Sequence, residues 1–147
     1  MQLVSTEVSE AVEGVRKNLM DDHLPQYKME CVELADTLIR VLDLGGKLKL
    51  TYTERPINHP FIGEDKSIGC NHLAINCEIV SLANTIYLKK MPSVLSDFYS
   101  TLINCILEVA KVRGHNLAKP LVDKLELNKN RADHKRENRN KKNGKKF

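Results

Sequence analysis

The sequence predicts an all-α protein: a bundle of four long helices arranged as two hairpins, followed by a short fifth helix and a basic tail. Three observations predict it. Apolar residues recur at spacings of three and four through four separate segments. Each segment is bounded by Pro, Gly or a polar break. The length, 147 residues, suits one domain built on a single core.

The first helix is expected from Leu3 to Leu19, with Val4, Val8, Ala11, Val12, Val15 and Leu19 on one stripe. Asp21-Asp22-His23-Leu24-Pro25 breaks it, because Pro25 biases Leu24 away from helical backbone. The second runs from about Lys28 to Leu44 through Val32, Leu34, Ala35, Leu38, Ile39 and Leu42, and Gly45-Gly46 is expected to stop it. Residues 49–69 hold Pro56, Pro60 and Gly63 without a helical period and read as a long loop, either functional or mobile. A third helix follows from about Asn71 to Lys90, where Lys89-Lys90 suit the negative end of the dipole. Met91-Pro92-Ser93 starts the fourth, from about Ser93 to Arg113, and Gly114 ends it. A short fifth spans Lys119 to about Asn130. The expected organisation is a helical domain over 1–130, made of hairpins at 1–48 and 70–116, with a tail at 131–147.

No apolar run approaches the ~18 residues of a membrane span, and no signal peptide is visible, so a cytoplasmic location without a membrane partner is expected. Cys31, Cys70, Cys77 and Cys105 show no C-x-x-C pairing, which reads as buried free thiols in a reducing compartment. Charge is uneven. From Lys119 onward there are 11 basic and 4 acidic residues (net +7), against 12 and 15 before it (net −3). Such a tail could serve a nucleic-acid-binding module, but that class leaves the acids of the body unexplained, so nucleic acid is not the expected partner.

A weak internal repeat joins the hairpins. Val4-Ser5-Thr6-Glu7-Val8-Ser9 can be laid over Ile75-Asn76-Cys77-Glu78-Ile79-Val80, and the second helices match with Gly46 facing Gly114. On that alignment Glu10 faces Ser81, Glu33 faces Thr101 and Asp36 faces Asn104. The first hairpin would then be the catalytic one and the second its structural partner.

The informative acids are Glu7-x-x-Glu10 and Glu33-x-x-Asp36. A spacing of three puts both members of each pair on one helical face, and the short break lets the helices return antiparallel. Like charges brought to ~4 Å at an effective dielectric of ~20 cost on the order of 4 kcal/mol per pair. Either some carboxyls stay protonated or cations neutralise them. All-oxygen ligands favour Mg²⁺ or Mn²⁺. Di-iron bundles need Glu-x-x-His, and no His stands three residues after any Glu. Glu13, Glu30 and Asp43 are assigned to the solvent face. His59, His72, His115 and His134 are scattered and read as structural or solvated. No P-loop is present.

Glu7-Val8-Ser9-Glu10 and Glu33-Leu34-Ala35-Asp36 resemble the E-x-x-E and E-x-x-D signature of the MazG-like all-alpha NTP pyrophosphohydrolases, with Thr6 where the family often has a further Glu. Lys124-Leu125-Glu126-Leu127-Asn128-Lys129-Asn130-Arg131-Ala132-Asp133-His134 is similar to the K-x-x-Y-N-x-x-R-x-D-H segment of phage-type members, with Leu127 in place of Tyr. The resemblance covers about 3–46 and 119–147. The motif begins six residues from Met1, so a helix that precedes it in the family is expected to be replaced by another segment or subunit.

The resemblance implies a MazG-like bundle that hydrolyses nucleoside triphosphates between the α- and β-phosphates, giving a monophosphate and pyrophosphate. Glu7, Glu10, Glu33 and Asp36 would hold Mg²⁺ (Mn²⁺ as a substitute), which neutralises the triphosphate and lowers the pKa of the attacking water. Lys124, Asn128 and Arg131 would bind substrate, the Arg in bidentate fashion. It also implies a purine substrate, leaning to dGTP or GTP, with pyrimidine or damaged nucleotides as the alternative. Assembly as a homodimer or homotetramer is expected in a host cytoplasm.

Overall fold

In the computed structural model, which describes residues 1–130, the chain forms five α-helices: α1 (Gln2–Arg16), α2 (Met29–Leu48), α3 (Ile68–Tyr87), α4 (Pro92–Val112) and α5 (Ala118–Asn130). No strand is present among these residues, and no helix is long and apolar enough to cross a membrane. The four long helices end by one device. A residue with left-handed backbone follows each (Asn18, Lys49, Lys89 and Gly114). The next N–H then reaches back five residues, as in Leu19 N to Gly14 O, Leu50 N to Gly45 O, Lys90 N to Thr85 O and His115 N to Ala110 O. These bonds satisfy carbonyls that the helix itself leaves open.

Two expectations about helix ends need correction. α1 stops at Arg16 rather than Leu19, because Asn18 adopts φ 50° and turns the chain out. Gly45-Gly46 does not stop α2, which runs to Leu48. Gly45 serves packing instead: a Cβ there would clash with the Tyr99 ring of α4. The close approach offsets the ~1 kcal/mol that glycine costs inside a helix.

Helix α2 is the centre of the bundle. It packs against α1, α4 and α5, while α3 packs on α4 and α1. Every residue from Cys31 to Ile39 is buried. Val4 and Val8 of α1, Leu34 and Leu38 of α2, Ile75 and Leu82 of α3, and Leu102 and Ile106 of α4 share one core. Ser5 and Asn76, which the alignment of the two hairpins sets opposite one another, hydrogen-bond to each other (3.1 Å).

Residues 49–67 hold no helix or strand and lie as a strap along α4. Thr51 and Thr53 donate backbone N–H groups to Ser96 Oγ (3.2 Å) and Ser100 Oγ (3.0 Å). Asn104 donates to Thr53 O (3.1 Å) and accepts from the Tyr52 hydroxyl (2.8 Å), and Arg55 pairs with Asp97 (2.9 Å). All four cysteines are free; Cys31 and Cys105 are buried, and Cys70 and Cys77 half-buried.

Candidate metal centre

The turn between α1 and α2 fixes the site. Asp21 is buried, and its Oδ1 accepts the N–H groups of His23 (3.0 Å) and Leu24 (2.7 Å). Asp21 N bonds Tyr27 O, and Met29 N bonds Leu19 O. Gly14 allows the hairpin to close, since a Cβ there would stand 2.8 Å from Met29 Cβ. The helices therefore return antiparallel and tight, and the acids of α1 meet those of α2.

Carboxylate oxygens of Glu7, Glu33 and Asp36 all lie within 4.8 Å of one another, and all three residues are buried. They line a cavity of about 310 Å³ together with Glu10, Asp21, Asp22, His23, Met29, Arg40 and Lys124. Glu10 is exposed on the cavity's open side, so the close set contains three acids and the fourth stands beside it.

Two cations enter the cluster. Arg40 Nε bonds Glu7 Oε1 at 2.5 Å. Lys124, buried on α5, places Nζ 3.7 Å from Glu33 and 3.5 Å from Asp36. They do not suffice. Burial pushes the Glu7 carboxyl above its ordinary value despite Arg40, helped by repulsion from Asp36 and Glu10. Burial likewise raises Glu33 strongly despite Lys124, with Glu7, Asp36 and Glu10 adding repulsion. A converging set of oxygen donors held against their own repulsion suits a hard divalent cation such as Mg²⁺.

The sequence reading placed Glu7, Glu10, Glu33, Asp36 and Lys124, and the fold brings all five to one cavity. Asn128 lies one turn beyond Lys124, outside the cavity wall, and its Oδ1 is buried without a hydrogen-bond partner among the described residues. Arg131, His134 and the rest of the tail lie outside the described residues. Arg40 was missed, although its signal was legible: it stands four residues after Asp36 and seven after Glu33, on the same face. The cavity contribution of Asp22, His23 and Met29 had no signal beyond their place in the turn.

Glu30 was assigned to solvent, and the structure corrects this. Glu30 is buried, accepting from Arg113 Nε (2.8 Å) and Nη2 (3.3 Å), with His115 Nε2 at 2.8 Å and His72 Nε2 at 3.4 Å. Burial alone would raise its pKa, but the hydrogen bonds from His115 and Arg113 prevail and hold it at about 2. Glu13 and Asp43 keep to the surface, as expected. The reason lies in α2 itself: as the central helix it has almost no solvent face in its first turns, so an acid there must find cations. Against protein-family models, curated proteins and solved structures the chain shows no match, and the chemistry of the site stands on its own geometry.

Proposed function

We propose that this chain is a magnesium-dependent nucleoside triphosphate pyrophosphohydrolase, releasing a nucleoside monophosphate and pyrophosphate. The observation that carries the reading is the trio Glu7, Glu33 and Asp36, with oxygens within 4.8 Å at a cavity that also holds Lys124 and Arg40. Acids and bases at one cavity match a ligand that is itself a cation–polyphosphate pair. A carboxylate trio alone would suit a bare ion, and a basic pocket alone would suit a bare phosphate.

Roles follow from placement. Glu7, Glu33 and Asp36 would hold the ion. When bound, Mg²⁺ supplies charge neutralisation for the triphosphate and a lowered pKa for the attacking water. Lys124 shares its charge with Glu33 and Asp36, so it is poised to pair with a phosphate oxygen once those carboxylates engage the ion. Arg40 holds Glu7 in place. Glu10, outside the close set yet on the same cavity, is the carboxylate left to orient the water. The preference for purines, leaning to dGTP or GTP, the host cytoplasm as location, and roles for Asn128 and Arg131 rest on the resemblance of the tail segment to phage-type members.

The test is a panel of ribo- and deoxyribonucleoside triphosphates with Mg²⁺, resolved by phosphorus NMR. Monophosphate and pyrophosphate should appear together, fastest with dGTP or GTP, and vanish with chelator. Orthophosphate as the released product, or no turnover across the whole panel, ends the reading.

A further inference from the structure

Helix α3 has a face that the candidate metal centre does not use. From Ser67 to Leu88 the sequence carries one acid, Glu78, and no Lys or Arg. Glu78 lies half-buried with His59 Nε2 at 3.8 Å, and His72 is buried. The outward side is left without a charge. Leu73, Val80 and Tyr87, seven residues apart, are 47 %, 63 % and 82 % exposed, and Leu88 and Met91 extend the surface. By contrast α1 and α2 turn Glu10, Arg16, Asp43 and Lys47 to solvent. Large apolar side chains left exposed at heptad spacing along one uncharged helix face suit an interaction surface.

The pattern of the stripe says what covers it. Counting outward from Val80, Cys77 and Ala83 lie three residues away, Asn76 and Asn84 four, and Leu73 and Tyr87 seven. Small faces small, amide faces amide, and large apolar faces large apolar. On a helix these offsets all fall within about 60° of Val80. Such a stripe is complementary to itself when one copy is turned by a half-rotation about Val80, since an isologous contact sets residue i against j and j against i. We infer that this face joins two copies of the chain through antiparallel α3 helices, on a two-fold axis at Val80.

The charges at the helix ends agree. Glu64 and Asp65 precede α3, while Lys89 and Lys90 follow it. Asp65 pairs with the neighbouring Lys66, which leaves Glu64 as the freer acid. An antiparallel pair sets the basic end of each copy toward the acidic approach of the other; a parallel pair would set lysines against lysines. In the antiparallel register Asn76, whose Oδ1 already accepts from Ser5, keeps its NH2 to donate to Asn84 of the second copy, and Tyr87 covers Leu73.

Sedimentation and cysteine cross-linking test this without reference to catalysis. Wild-type protein should sediment as a dimer or a multiple of it, and Val80→Glu at half that mass with its helical content intact and its melting still cooperative but no longer dependent on concentration. In a Cys70→Ser/Cys77→Ser background, Val80→Cys should link to itself on mild oxidation, because the axis places it opposite its own copy. Leu73→Cys and Tyr87→Cys should each stay unlinked alone and link when mixed. A monomeric wild type, or an assembly unchanged by Val80→Glu, overturns the interface. Self-linking of Leu73→Cys or Tyr87→Cys overturns the antiparallel register. Dimerisation that emerges only on removing residues 131–147 assigns the face to the tail and overturns the proposal as well.

Discussion

In the α1–α2 hairpin the inward acids Glu7, Glu33 and Asp36 open onto a cavity, whereas aligning the two hairpins in sequence sets Glu78, Thr101 and Asn104 of α3–α4 against them. There the strap closes over them: Tyr52 and Thr53 bond Asn104, and His59 approaches Glu78. The two hairpins end their helices in the same way, although α1 has 15 residues against 20 in α3. What differs is charge and cover. Burial and neighbouring acids push the Glu7 and Glu33 carboxyls up and weaken the fold that holds them, so an acidic hairpin is sustainable when a cation completes it. At two of these positions the second hairpin carries a hydroxyl and an amide instead of acids; the strap satisfies Asn104, and Thr101 bonds Asp97 O within α4.

The comparison breaks most sharply at the acids. Glu33→Gln or Asp36→Asn should lower turnover on the order of a thousandfold, about 4 kcal/mol of barrier. Glu78→Gln, the matching change in the covered hairpin, should leave it within about twofold. The metal-free Glu33→Gln protein should melt no lower than wild type, since a repelled buried charge is removed. It should also lose the rise in melting temperature that Mn²⁺ gives the wild type, worth about 2.7 kcal/mol at a hundred times Kd. Calorimetry with and without Mn²⁺ separates the two effects. Equal turnover in Glu33→Gln and wild type would place the chemistry elsewhere.

Lys124 is the next step down. Lys124→Met keeps the stem that packs against α2 and removes the charge, so kcat/KM should fall about a hundredfold, near 2.7 kcal/mol. The same variant should bind Mn²⁺ at least as tightly, because the ammonium no longer shares Glu33 and Asp36. Manganese titration followed by electron paramagnetic resonance reads this directly. Weaker binding would make Lys124 a structural support of the acids rather than a ligand for phosphate.

How much of this was legible beforehand depends on the range of the interaction. Periodicity found the four long helices because burial of one stripe is written into spacings of three and four. The acids of the cluster were legible because E-x-x-E and E-x-x-D fix a face. Arg40 shared that face and could have been found. Glu30 could not. Its burial comes from Arg113 and His115, more than eighty residues away, which no local pattern announces. The extension of α2 through Gly45-Gly46 was hidden for the same reason, since Tyr99 supplies the contact that makes glycine useful there. Lys49 as the left-handed residue was invisible because propensity points to glycine.

Glu30 ties the two hairpins together, and its removal should change stability while sparing catalysis. Glu30→Gln should lose about 2–3 kcal/mol, below the usual loss for a fully buried pair because Arg113 and His115 keep some solvent contact. The pH dependence has two limbs. Glu30 is held at about 2, below its ordinary 4.5, so its contribution is full above 4.5 and fades as pH falls toward 2. His115 is raised to about 9 from 6.5, by hydrogen bonds to Cys31 and then Glu30, so its contribution is full below 6.5 and fades as pH rises through 9. Urea midpoints across this range should show a plateau near pH 4.5–6.5 in the wild type and a flatter, lower profile in Glu30→Gln. A parallel offset at every pH would mean that Glu30 acts by packing alone.

The smallest effect tests whether the hairpins end alike. The repeat aligned Gly46 with Gly114, but in space the residue that does what Gly114 does is Lys49: φ 54° after α2 against φ 74° after α4. A side chain in the left-handed region is strained by roughly 1–2 kcal/mol, and glycine is not. Gly114→Ala should therefore destabilise by about 1 kcal/mol, and the strain must come from the backbone, since nothing stands within 4 Å of the added Cβ. Lys49→Gly should move the other way by several tenths of a kcal/mol, the gain reduced by the freedom glycine adds to the unfolded chain. The sites are far apart in sequence and share no partner, so the double variant should return close to wild type. Opposite signs in urea midpoints mean one device used twice. Equal signs would mean that Lys49 is held by contacts of its own side chain, and that the likeness of the two hairpins stops at their core.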